Sequence, residues 1–113
     1  MIPILLLAAG IAIGVALFWK ELVSWMQRAI EKVKQIVSGV LEGAKTFIAR
    51  MSDGLKNIAK YYSKNKITNE YEETVTKKAV NENDVPEELR AKISMKMNVE
   101  IDTTTELLAK LSA

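Results

Sequence analysis

Residues 2–19 read IPILLLAAGIAIGVALFW, eighteen consecutive positions without a charged side chain. As one helix this stretch would rise about 27 Å, close to the thickness of a bilayer's hydrocarbon core. Pro3 stands where a first helical turn tolerates proline. No Lys or Arg precedes Lys20, so the basic start of a cleaved signal peptide is missing. Trp19 closes the run and Lys20, Trp25 and Arg28 follow it, the residue types that settle at a membrane interface. With Lys32 and Lys34 they place all nearby positive charge on one side, which puts the N-terminus outside and the rest of the chain in the cytoplasm. The reading is a single-pass protein of the cell membrane, anchored by residues 1–20.

The run contains small residues at helical spacing. Gly10 and Gly14 form one close-approach face, and Ala9, Ala12 and Ala16 form a second, roughly opposed to it. Two such faces suggest a neighbour on each side, hence a homo-oligomer above a dimer. Glycine and alanine are also simply common in membrane helices.

Working outward, apolar residues continue at steps of three and four through residues 21–66. Ile30, Val33, Val37, Val40, Phe47, Met51 and Ile58 fall on a heptad seam, and no proline interrupts it. This pattern predicts a long amphipathic helix packed as a coiled coil. Residues 20–66 have ten Lys/Arg against four Asp/Glu, so lying flat on anionic lipid is the alternative. The basic residues lack interleaved aromatics, which argues against nucleic acid as a partner.

Residues 67–113 reverse the balance, with six Lys/Arg against ten Asp/Glu. Ile67, Tyr71, Val75 and Ala79 alternate over a strand at 67–80. Asp84 three before Glu87 opens a short helix to Lys92. Ile93, Met95, Met97, Val99 and Ile101 alternate with Ser94 and further polar residues over a second strand, and Thr103 three before Glu106 opens a last helix. The fold class expected is a mainly α membrane protein: a transmembrane helix running into a long amphipathic helix, then a small β-α-β-α module. That module is too poor in large apolar residues to stand alone, so neighbouring subunits or a protein partner are expected to complete it.

Cysteine and histidine are absent, which removes thiolate nucleophiles, imidazole bases and the usual zinc sites. The clustered carboxylates Glu70, Glu72 and Glu73, then Glu82, Asp84, Glu87 and Glu88, sit on a strand face and at a helix start. No catalytic, cofactor-binding or metal-ligating residue is assigned, and the chain is read as no enzyme. The function expected is a membrane-anchored, homo-oligomeric interaction protein that scaffolds a cytoplasmic partner. The alternative is a membrane-active, pore-forming effector.

Overall fold

The apolar run breaks at its own glycines. In a computed structural model, which describes residues 1–11, 13–93 and 95–111, Ile2–Pro3 is a short strand, β1, and Ile4–Ala9 a six-residue helix, α1. Gly10 (φ 81°) and Gly14 (φ 91°) then adopt the positive φ that glycine reaches without a Cβ penalty. Helix α2 begins only at Leu17 and runs to Ile36. Among the described residues no helix is long and apolar enough to cross a membrane. The expected transmembrane helix, the single-pass location and the orientation drawn from it are therefore not supported.

The coiled-coil rod is overturned as well. Helix α2 stops at Ile36, and the rest of the heptad stretch is a β-hairpin: β2, Gly39–Met51, and β3, Gly54–Asn65, antiparallel throughout. Its tight turn is Ser52–Asp53, followed by Gly54 at φ 117°. The start of β2 has a steric requirement. A Cβ on Gly39 would lie 1.8 Å from the Lys64 carbonyl oxygen, so only glycine fits where β2 starts against β3.

Strand β4, Tyr71–Ala79, pairs antiparallel with β3. A 3-10 turn, Glu82–Asp84, and a single-turn helix α3, Glu87–Arg90, follow. Arg90 ties these two together, donating from Nε to the Val85 carbonyl and from Nη2 to that of Asn83. The alternating run 93–101 is mostly not a strand. Met95, Met97 and Val99 are exposed, Asn98 (φ 64°) breaks the extended path, and Ser94 lies outside the described residues. Only Glu100–Asp102, β5, joins the sheet, and α4, Thr104–Leu111, closes the described chain.

The result is an α+β protein with one five-stranded antiparallel sheet, in the order β1-β2-β3-β4, with β5 beside β1 on the outer edge of β2. Helix α2 lies across one face of it. Its buried residues Phe18, Trp19, Leu22, Val23, Met26, Ile30 and Val33 recur every three or four positions. They share one core with Ala44, Ile48, Leu55, Ala59 and Tyr61 of the sheet, and with Ile2, Leu7, Leu89 and Leu107. Gln27 Nε2 donates to the Leu7 carbonyl, tying α1 to α2. The apolar residues read as a membrane span are thus divided between this core and solvent, where Leu5, Ile13 and Leu17 remain.

Candidate interaction surface

The two edges of the sheet are treated differently. On the β2 side the stretch from Gly43 to Arg50 is occupied, and Gly39–Glu42 at the start of the strand extends beyond it. β1 pairs with Gly43 and Ala44, and β5 with Phe47 to Ala49. The Asn98 N–H donates to the Arg50 carbonyl at 2.7 Å. Between β1 and β5 a buried threonine cluster fills the gap. The Thr46 N–H donates to Thr104 Oγ1 at 3.0 Å, and the Thr46 carbonyl accepts from the Thr103 N–H at 2.9 Å. Thr103 Oγ1 donates in turn to Thr46 Oγ1 at 3.0 Å. Thr103 is thus drawn to the sheet, and it is Asp102 Oδ1 that accepts from the Thr104 N–H at the start of α4.

On the other side β4 ends the sheet, and among the described residues no strand pairs with its outer edge. Its alternation follows from the bonds that flank it. The Glu70 carbonyl accepts from the Asn65 N–H, and the Val80 N–H donates to the Leu55 carbonyl, each at 2.9 Å. In an antiparallel ladder alternate residues bond the same neighbour. Even-numbered residues of β4 therefore face β3, while Tyr71, Glu73, Val75, Lys77 and Ala79 aim their N–H and C=O groups outward. Val75 is 44% exposed and Tyr71 64%. Acid is gathered at one end of the strand, Glu72 and Glu73, and base at the other, Lys77 and Lys78. Among the described residues none of these four forms an ion pair within 4 Å, whereas Lys56, Lys60, Lys92 and Lys110 are all paired. Asn65 Nδ2 donates to Glu72 Oε1 at 2.8 Å and orients that carboxylate.

The sheet face turned away from α2 carries lysines among aromatics, but most are engaged within the chain. Lys60 Nζ lies 2.7 Å from Glu100 Oε1 and 4.6 Å from the Phe47 ring centre. The Glu100 hydrogen bond holds the Lys60 ammonium above its ordinary pKa. Lys64 stands over the Tyr71 ring, 5.6 Å from its centre. Burial, with the Glu73 carboxylate adding to it, pushes the Tyr62 hydroxyl up. On the helix side burial pushes Tyr61 to about 12.

A cleft of about 130 Å3 between α2 and the ends of β3 and β4 is lined by Glu21, Asn57, Lys78 and Asp84 among others. Its carboxylates and ammonium can bind polar groups, but no hydroxyl or thiol nucleophile lines it. No group of three or more Asp or Glu among the described residues is placed to hold a metal ion.

The residues singled out in the sequence are scattered by this fold. Ala9, Gly14 and Ala16 are exposed and Gly10 is half-buried, on segments that share no helix; Ala12 lies outside the described residues. Of the seam, Ile30 and Val33 are buried on α2, and Val37 is its extended C-cap. Val40 is 55% exposed on β2. Phe47 and Ile58 do meet, as a cross-strand pair on the face away from α2, with Met51 further along β2. Trp19 is fully buried, Trp25 is half-buried, and Lys20 and Arg28 are exposed. Arg28 donates to Ser24 Oγ at 2.7 Å. The free edge itself was missed as a site. Its charge segregation is visible in the sequence, but its position at the end of a sheet is not.

Fold and site together define a helix-on-sheet protein with one sheet edge covered over most of its length and the other open. No family model matches the chain, and no curated protein or solved structure is similar enough to match it.

Proposed function

We propose that this chain is a non-catalytic structural protein that assembles by extending its sheet, strand β4 accepting a strand from another subunit. The observation that carries the reading is the free β4 edge, five residues of which direct their backbone groups outward, while the opposite edge is covered from Gly43 to Arg50. An exposed edge is a template for pairing and is normally blunted unless it is used. A homo-oligomer built this way needs no membrane anchor. Small faces on a transmembrane helix do not contribute, because Gly10 and Gly14 are not helical.

Val75→Pro tests this reading. Proline removes the outward N–H of Val75 and leaves the even-numbered bonds to β3 in place, a substitution that edge strands accept. The mass of the wild-type chain, measured by sedimentation equilibrium, is expected to rise with concentration from that of a monomer. The variant is expected to stay monomeric with its melting temperature lowered by no more than a few degrees. A wild-type chain that remains monomeric into the millimolar range would refute the proposal, as would a variant that assembles like wild type.

A further inference from the structure

The geometry points to a second copy of this chain as the occupant of the β4 edge, paired antiparallel about a two-fold axis through Val75. This rests on the assembly reading above and fixes its partner, register and closure.

The argument starts from the charges. Glu73 and Lys77 lie on the face away from α2, and Glu72 and Lys78 on the face toward it, as their partners on β3 require. Glu73 and Lys77 are four residues apart, about 13 Å along a strand, so they are too far apart to pair within one chain. Antiparallel pairing of two β4 strands centred on Val75 places residue i opposite residue 150 − i. Glu73 then stands opposite Lys77 of the second copy, and Glu72 opposite its Lys78. The symmetry repeats both contacts, giving four ion pairs from four side chains of each copy that find no ion-pair partner among the described residues of one chain.

The same arithmetic discriminates against the alternatives. Parallel pairing in register sets Glu73 against Glu73 and Lys77 against Lys77. An antiparallel centre moved two residues either way does the same, with Glu73 or Lys77 on the axis. Like charges directly opposite each other are destabilising. A centre at Thr74 sets Glu73 against Val75 and Lys77 against Tyr71, so the inner ion pairs are lost.

The backbone agrees with the charges. Val75 aims its N–H and C=O outward, so Val75 and its copy form a hydrogen-bonded pair on the axis, flanked by two Glu73–Lys77 pairs of the same kind. Thr74 and Thr76, half-buried, meet each other across the closer, non-hydrogen-bonded positions, where threonine hydroxyls can bond. The two sheets join into one with both α2 helices on the same side. Because the contact uses the same edge from both subunits, it is isologous and closes at a dimer.

Charge exchange and single cysteines test the register in the full-length chain. Glu73→Lys alone sets lysine against lysine twice, and Lys77→Glu alone sets glutamate against glutamate twice. Each is expected to weaken the dimer about tenfold or more, while the double variant Glu73→Lys/Lys77→Glu returns to within about threefold of wild type. These side chains are exposed, so the melting curve of the dilute monomer serves as a check that each variant folds. The chain has no cysteine, and Val75→Cys is expected to form a disulfide-linked dimer on mild oxidation, its two Cα atoms standing about 5.5 Å apart. Lys77→Cys, far from its own copy, is expected not to. A double variant as weak as the single ones, or equal crosslinking at positions 75 and 77, would overturn the register. If the wild type assembles and Val75→Pro still abolishes assembly, that result removes only the register. A wild type monomeric at every concentration removes the assembly reading along with it.

Discussion

Trp19→Ala is expected to lower the unfolding free energy by about 3–5 kcal/mol, a large part of what holds a domain of this size together. Trp19 is 0% exposed, on the face of α2 that packs against the sheet. Its ring meets Phe18 edge to face, 5.0 Å between centres. Removing the indole leaves a cavity at the start of α2, where Leu22 and Val23 continue the same buried stripe. In a thermal melt followed by circular dichroism this should appear as a drop of about 15 °C or more. Trp25, half-buried at the rim of the same helix, should cost far less when replaced by alanine. A tryptophan anchored at a lipid headgroup would behave the other way, with little effect on the melting of the rest of the chain. Equal, small effects at both positions would mean that α2 does not pack as described.

Thr104→Val carries the second large effect. Thr104 Oγ1 accepts from the buried Thr46 N–H at 3.0 Å and lies 3.3 Å from the Thr46 carbonyl oxygen, to which it donates. Valine keeps the shape and removes the acceptor. The Thr46 N–H is then left buried without a partner, a loss of about 1–3 kcal/mol. Because Thr103 and Thr104 are also where α4 joins β2, its Leu107 should loosen with them. Thr104→Ser keeps the oxygen and should stay within about 0.5–1 kcal/mol of wild type. Chemical denaturation of the two variants gives the comparison. If valine costs no more than serine, the threonine cluster is not what seals this edge.

How far the sequence reveals this fold depends on the element. The stripe at Phe18, Leu22, Met26, Ile30 and Val33 is a true helical face, and its three-and-four spacing is legible. The spacing misleads beyond Ile36 because β2 and β3 bury side chains on both faces. Ala44, Ile48 and Leu55 face α2, while Ala49 and Ile58 are buried on the opposite side. A strand buried on both faces loses its alternation and can satisfy a heptad by accident. The punctuation was present in the sequence: Ser38–Gly39 at the helix end and Ser52-Asp53-Gly54 at the hairpin turn. The apolar run at residues 2–19 misleads for another reason. Hydropathy does not distinguish Ile2, Leu7 and Trp19, which reach the core, from Leu5, Ile13 and Leu17, which do not.

Of the alternation read over residues 67–80, Tyr71–Ala79 forms a strand, β4, because β3 is there to pair with it, while Ile67 lies exposed in the turn before it. The equally clean alternation at residues 93–101 yields two strand residues, Glu100 and Ile101, since Asn98 at φ 64° turns the chain out of the extended path and β2 ends at Met51. A strand needs a neighbour as well as a pattern. The candidate site follows the same rule. Glu72, Glu73, Lys77 and Lys78 can be read from the chain, but their meaning depends on β4 being last in the sheet.

Residue-resolved amide hydrogen exchange over a range of protein concentrations tests the central claim most directly. The N–H groups of Thr74, Thr76 and Lys78 face β3 and should be protected at every concentration. Those of Glu73, Val75 and Lys77 should exchange freely in dilute protein and become protected as concentration rises, with Val75 slowed most because it lies on the axis. Outward amides that stay fast at all concentrations, while their neighbours remain protected, would contradict the account.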